Sequence, residues 1–387
     1  MSFLNNTHFS DCCGSTSDYN RPIVQTVLIF LGVGILSLVT VFGNLLIILA
    51  YYDNKKIRNL ANIPIISLAF TDLFIGLYPM NINVLEMTLR YWPLGHVMCN
   101  VSLTFDYVCV QTSINHIVLI NFDRYISIKS PMKHRLQQKT PKVMFRLFVV
   151  WFFGILIWVP YINSYMYVFR DKFNDKKCYT DFLANNTSSY KTIMFIVTSV
   201  VGYFIPLGIV LTMYFKMYNI IMKQLYESNQ TQYALRSQET NEHIEIGNLA
   251  YNPISCSNAT ETSCYFVPST NSLKQTYEYQ KKKLDSIVKQ KKILRHKKSL
   301  RMIASIILAF LITGLPLNAQ WFVNGICKKC YNGVLFDIFN FITYPNSTVN
   351  PFLYAFVSRA FRLQYKRILF GKKKFREAER QNINNSI

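Results

Sequence analysis

The residues best placed to do chemistry in this chain are acids set in apolar surroundings. Asp72 stands in SLAFTDLF, Asp106 in VSLTFDYVCV, and Asp123 beside Arg124 in NFDRYISIK. A charged side chain in hydrocarbon is costly, so each acid calls for a cation, a hydrogen-bonding partner or a ligand. Asp106 and Asp123 are 17 residues apart on one apolar run, which separates their Cα atoms by about 25 Å along a helix axis. One acid therefore lies near the mouth of that run and the other near its opposite rim. Asp123 can be neutralised by its neighbour Arg124. Asp106 has no Lys or Arg within two helical turns, so a carboxylate facing a cavity there is a ready counter-ion for a cationic ligand. Tyr107 follows it, and Trp158, Phe195, Phe341 and Tyr344 fall at comparable depths on other runs. Ring faces around one acid attract an ammonium by about 2 kcal/mol or more when dry. Asp72 can gather Ser113, Asn346, Ser347 and Asn350 into an oxygen-rich cluster suited to a small hard cation such as sodium; the alternative is a protonated, hydrogen-bonded acid. Glu86, near the end of its run, can reach water.

The same residue types do not read as an enzyme. The six His are scattered, and no His-Glu-x-x-His, glycine-rich phosphate loop or nucleophile motif is present.

The elements that must carry these acids are long apolar helices. Of 387 residues, 51% are hydrophobic and only 16% charged, well below the roughly 25% of a soluble domain. A helix needs about 20 residues to span the hydrocarbon of a bilayer. Seven runs reach that length: Ile23 to Tyr51, Asn62 to Met87, Val97 to Ile128, Met144 to Tyr165, Thr192 to Met217, Leu300 to Cys327 and Val334 to Val357. The fold class read from them is all-α, a seven-transmembrane helix bundle. Residues 1–22 form an outer N-terminus without the features of a cleavable signal peptide. Residues 23–218 hold crossings one to five, 219–298 a long and largely flexible inner loop, 299–357 crossings six and seven, and 358–387 an amphipathic helix and tail. The last residues of that loop, with Leu284, Ile287, Val288 and Leu294 at roughly helical spacing, suggest an inner extension of the sixth helix.

The formal charge of +22 raises nucleic acid as a partner, but its placement excludes it. Only nine of the 42 Lys and Arg fall in segments that are outside if the N-terminus is outside; dense blocks from Lys281 to Arg301 and from Arg359 to Arg380 fall inside. That bias orients a multi-pass plasma-membrane protein with its N-terminus extracellular, and the inner charge faces anionic lipid and a cytosolic partner. Cys99 and Cys178 then lie on the oxidising side, where a disulfide persists, and Cys327 and Cys330 form a candidate second bridge. Asn5, Asn185 and Asn186 are outer glycosylation triplets. Cys12 and Cys13 have no assignment. Neither an inverted repeat nor broken helices are evident, which weighs against an amine transporter or channel.

Gly43-Asn44, Leu68-Ala69-x-x-Asp72, Asp123-Arg124-Tyr125, Trp151, Pro206 with Tyr214, Phe310 with Pro316, and Asn350-Pro351-x-x-Tyr354 occur in order, one set per crossing. In these landmarks the chain resembles the rhodopsin-like G-protein-coupled receptors. YWPLGHVMC, FDYV, NFDRYISIKSP, CYTDFL, Trp158-Val159-Pro160, SIILAF, Cys-Lys-Lys-Cys and NSTVNP are similar, within that family, to the muscarinic acetylcholine receptors. The resemblance implies a receptor for a small cationic amine that couples to a heterotrimeric G protein, with arrestin as a further partner; histamine or another biogenic amine is the alternative ligand. It implies that Asp106 pairs with the amine and that Asn318 bonds a polar group of the ligand. Thr198, Trp158, Phe195 and Val110 line the pocket, and Tyr107 and Tyr344 close over the ammonium. Pro206, Ile114 and Phe310 form a connector to the inner side, where Tyr214 and Tyr354 act with Arg124. Phe361 marks an eighth helix lying along the inner surface.

The departures are specific. Gly314 stands where muscarinic receptors carry a Trp, Leu317 and Asn340 where they carry lid tyrosines, Val110 and Gln111 where they carry small polar residues, and His296 where an acid tethers the arginine. These changes lead us to expect a roomier pocket and, with Gly314 beside the Pro316 hinge, a looser sixth crossing.

Overall fold

The computed structural model describes residues 23–89, 91–168, 178, 193, 196–250, 270–327 and 333–371. Among them the chain is helical throughout. Hydrocarbon offers no partner for backbone N–H and C=O groups, so each crossing must satisfy its own by helix formation. The first crossing is α1 (Ile23–Asp53). The second is α2 (Ile63–Leu77) and α3 (Pro79–Leu89). The third is α4 (Gly95–Lys129), followed by the short α5 (Pro131–Gln137), and the fourth is α6 (Thr140–Val168). The fifth enters through a π-turn at Val200–Phe204 and continues as α7 (Ile205–Ala250). The sixth is α8 (Thr270–Ile326). The seventh is α9 (Gly333–Thr343) with α10 (Pro345–Val357), and α11 (Arg359–Phe370) follows. Six of these helical stretches are individually long and apolar enough to cross a membrane; the two pieces α9 and α10 complete the seven-helix bundle.

Helix α4 is the axis of the bundle, packed on α2, α6 and α7. Ile114, Ile117 and Ile120 of α4 share a buried core with Leu46, Leu68, Val210, Ile303 and Phe310. Large apolar residues on the outer faces, including Leu38, Phe148, Leu308 and Phe352, are exposed, as a lipid-facing surface requires.

Proline interrupts the crossings where function needs irregular backbone, and neighbouring polar groups repair the damage. Pro79 divides α2 from α3, and the Asn81 amide reaches back to the carbonyls of Gly76 at 2.9 Å and Leu77 at 3.0 Å while Ser37 adds a 2.8 Å bond to Gly76. A second polar knot ties α2, α4 and α6. His116 has no exposure; its Nδ1 donates to the Thr112 carbonyl at 2.7 Å, so its Nε2 accepts from Ser67 Oγ at 2.7 Å. Trp151 Nε1 donates to the same oxygen at 3.2 Å. Ser67→Ala strips two buried ring nitrogens of their partner and is expected to cost about 1 kcal/mol. A lower melting temperature in detergent, with Ser67→Thr close to wild type, is the measured outcome.

At their connected ends the fifth and sixth crossings continue well past the length that spans a bilayer. The sixth helix has the inner extension expected from its spacing and begins already at Thr270, and the first part of the segment, read from sequence as flexible, is helical up to Ala250. The cause is a pairing that polarity concealed: Leu235 and Ile293 are buried, the Gln232 and Gln290 amides bond each other at 3.2 and 3.4 Å, and Lys289 lies 3.8 Å from Glu227. Helix α11 starts at Ser358, whose hydroxyl caps the Phe361 amide. It buries Phe361, Gln364 and Tyr365, and Gln364 bonds Asp53 at 2.6 Å.

Candidate ligand site and its inward connection

Asp106 lies on α4 at the floor of a cleft between the second and third crossings, lined also by Asn83, Glu86, Trp92, Leu103 and Cys178. Its Oδ2 accepts a 3.1 Å bond from the Asn83 amide. Its Oδ1 is buried and has no hydrogen-bond partner among the described residues. No Lys or Arg among them forms an ion pair with it. Asn83 also donates to the Tyr344 hydroxyl, so Asp106, Asn83 and Tyr344 form one polar group joining three crossings. Sequence reading missed Asn83. The signal was present: Asn83 follows Asp72 by 11 residues, about three turns, which returns to the same helix face.

The cleft is roofed by the disulfide between Cys99 and Cys178, whose Cα atoms are 5.4 Å apart. The Cys178 amide donates to Glu86 Oε1 at 2.7 Å, fixing the outer loop to α3. Cys327 is disulfide-bonded as well; Cys330 lies outside the described residues, as do Phe195, Asn5, Asn185 and Asn186.

Other expected pocket residues are placed differently from one another. The Tyr107 ring stacks on Trp158 at 4.5 Å and 16°, and both meet Trp321, in a buried cluster that includes Leu317. Tyr107 therefore turns its face to the fourth crossing. The Asn318 amide folds back onto the Gly314 carbonyl at 2.9 Å, and the carbonyl of Asn340 accepts from Thr343 at 2.6 Å. Thr198 is buried, and Val110 packs between the core clusters.

The floor is filled, against the expectation of a roomier pocket. Pro206 has no N–H, which leaves the carbonyl four residues earlier, Gly202, without its helical donor. The Gln111 amide supplies one at 3.1 Å while its Oε1 accepts from Trp158 Nε1 at 3.3 Å. A Cβ at Gly202 would stand 2.8 Å from Gln111 Oε1 and would displace the end of that side chain. Next to it, Tyr203 donates its hydroxyl to the Phe310 carbonyl at 3.0 Å and packs on the Phe310 ring at 4.7 Å. A Cβ at Gly314 would lie 2.5 Å from the Tyr203 ring. The volume that an indole would fill from the sixth crossing is thus filled by a phenol from the fifth. Ile114, Tyr203, Leu207 and Phe310 share one core, with Pro206 buried beside them. Gly314 therefore marks an exchange of ring between helices rather than a loosened hinge at Pro316.

Deeper, Asp72 is fully buried. It accepts from Asn350 at 2.7 Å and from Ser113 at 3.3 Å, with Ser347 also bonded to it. Asn346 is half-buried and forms no recorded bond to it. At the inner rim the adjacent pair Asp123 and Arg124 is not formed. Asp123 instead accepts from Gln138 at 2.9 Å, lies 3.2 Å from His134 Nε2, and pairs with Arg146 at 3.5 Å. Successive helix positions point about 100° apart and do not face each other, so Asp123 serves the α5 and α6 side. Arg124 and Tyr125 are half-buried, Tyr214 packs at the core edge, and the Tyr354 hydroxyl is buried without a hydrogen-bond partner among the described residues. In the inner extension of α8, outside the crossing, burial and the neighbouring Lys292 push the His296 imidazole below its ordinary range, so it stays neutral there.

Comparison with known proteins agrees with this architecture. A family model described as the 7 transmembrane receptor (rhodopsin family) matches residues 43–354. Similar curated proteins include muscarinic acetylcholine receptor M2 of Gallus gallus, 23% identical over 89% of this chain and 93% of that protein. Muscarinic acetylcholine receptor M1 of Homo sapiens is 24% identical over 89% of each. Muscarinic acetylcholine receptor M3 of Sus scrofa is 31% identical over 57% of this chain and 37% of its own length. With the match running from within the first crossing to within the seventh, over most of the chain, the chain belongs to the rhodopsin family of seven-transmembrane receptors.

Proposed function

We propose that this receptor, a multi-pass plasma-membrane protein and not an enzyme, is activated by a small cationic amine bound at Asp106 from the extracellular side, where its N-terminus lies. One observation carries the reading: Asp106 lines a cleft, and its buried Oδ1 has no hydrogen-bond partner among the described residues. An ammonium completes it. The amine binds more tightly to the active arrangement, and only that difference in affinity moves the equilibrium. The contacts described above run from Tyr107 through Trp158 and Gln111 to the Gly202 carbonyl, and its neighbour Tyr203 bonds Phe310, two turns from the Pro316 hinge. The basic inner end of α8 then moves to admit a G protein beside Arg124, and arrestin uses the same surface. The test is a panel of amine transmitters assayed by G-protein nucleotide exchange in membranes holding wild-type receptor or Asp106→Asn. A response to an amine that survives the substitution would overturn the reading.

At Asp72 the donors fit a sodium ion. Asn350 and Ser113 donate to the carboxylate, and a carboxylate that carries its charge at that depth requires a cation. Asp72, Ser113 and Ser347 would supply the oxygens, with Asn350 alongside and Asn346 on the same helix turn. When bound, the ion supplies neutralisation of the acid. We expect added sodium to lower agonist potency several-fold in wild type and to have no effect on Asp72→Asn, measured as concentration–response curves in sodium against a bulky organic cation.

A further inference from the structure

We infer that the ligand is an amine carrying at least one N–H bond, and that the site discriminates against quaternary ammonium. This rests on Asp106 being the amine site and deepens that reading. Two independent observations point to it.

The first is the state of the carboxylate. Asn83 occupies Oδ2 at 3.1 Å and is itself fixed by Tyr344, so Asp106 cannot turn both oxygens toward a diffuse cation. The oxygen left over, Oδ1, is buried and unpartnered among the described residues. A buried acceptor needs a donor, and a hydrogen bond to a charged group is among the strong ones. A protonated primary, secondary or tertiary amine supplies that N–H together with its charge. A quaternary ammonium supplies only charge, and its methyl shell holds the nitrogen further from Oδ1.

The second is the aromatic wall. Quaternary ammonium is recognised by ring faces arranged as a cage. Here the face of Tyr107 is covered by Trp158, and Leu317 and Asn340 present no ring. Tyr344 and Phe341 meet edge to face at 6.1 Å on one side only. Among the described residues the rings at the site are Tyr78 and Trp92 in the cleft lining and Tyr344 beside Asn83, an incomplete cage, so an N–H gains more there than methyl groups do. Asn83 is the positioning residue: it acts on the ligand through the orientation of Asp106.

The test is a matched pair on one scaffold, 2-(dimethylamino)ethyl acetate and acetylcholine, which differ by a single methyl group on nitrogen. An ether-linked pair with the same two head groups serves as the hydrolysis-resistant control. G-protein nucleotide exchange is measured on wild type, Asn83→Leu and Asp106→Asn, each normalised to surface receptor. The tertiary amine is expected to be about tenfold or more the more potent on wild type, the range set by one hydrogen bond to a charged group. Asn83→Leu is expected to reduce that ratio to about threefold or less, a change in selectivity that a loss of folding alone would not produce. Equal or greater potency of the quaternary compounds, or silence of the tertiary ones, overturns the inference. If selectivity is absent while Asp106→Asn still abolishes the response, only this inference falls. If Asp106→Asn leaves the response intact, the amine site itself falls.

Discussion

Asp106→Asn is expected to lower amine potency by at least about 100-fold while raising the thermal stability of the ligand-free receptor. Asparagine keeps the shape of the side chain and an oxygen for the Asn83 amide, so the substitution removes charge and little else. Breaking a buried ion pair by neutralising one partner costs about 3–5 kcal/mol, which sets the scale of the lost potency. Stability moves the other way because the ligand-free protein holds a buried carboxylate oxygen with no donor among the described residues, and an uncompensated buried charge is destabilising. A site whose cost is recovered only on binding has this signature. Concentration–response curves for exchange, normalised to surface receptor, and melting curves without ligand read the two effects. A fall in both would show that Asp106 is a structural residue.

The sequence reached the fold through the crossings, because these rest on the one-dimensional distribution of apolar residues. It reached Asp106 and Asp72 for a related reason: an acid inside hydrocarbon stands out whatever surrounds it. The relations between crossings were harder. Asn83 could be found by its helix phase relative to Asp72, but its bond to Asp106 depends on how α3 leans after the break at Pro79. The expected Asp123–Arg124 pair failed because adjacency along a helix is not adjacency in space, and the partners of Asp123 come from α5 and α6. The first part of the inner loop looked flexible because Glu227 and Gln232 read as solvated; facing Lys289 and Gln290 of the expected helical extension, they hold α7 and α8 together. The Gly314 departure was visible as a lost indole. Only the packed structure shows a ring arriving from another helix to fill that place.

That exchange leads to an expectation opposite to simple restoration of the missing tryptophan. Gly314→Trp alone should reduce surface receptor and melting temperature, since even a Cβ at that position meets the Tyr203 ring at 2.5 Å, and overpacking a core costs about 1–3 kcal/mol. Tyr203→Ala alone should also destabilise, by about 3–5 kcal/mol, because it empties the same volume. The two together should recover much of either loss, with a coupling of about 0.5–3 kcal/mol as expected for side chains in contact. The hydroxyl has a separate role. It is donated from the fifth crossing to the Phe310 carbonyl of the sixth, a restraint on any rotation of the part of α8 that precedes Pro316. Tyr203→Phe keeps the ring and removes that restraint, worth about 1 kcal/mol, so ligand-free nucleotide exchange per surface receptor should rise about fivefold. Unchanged exchange in Tyr203→Phe, together with a Gly314→Trp receptor as stable as wild type, would mean that the ring contact neither fills the core nor restrains the helix, and that the connection from Gln111 to Phe310 plays no part in signalling.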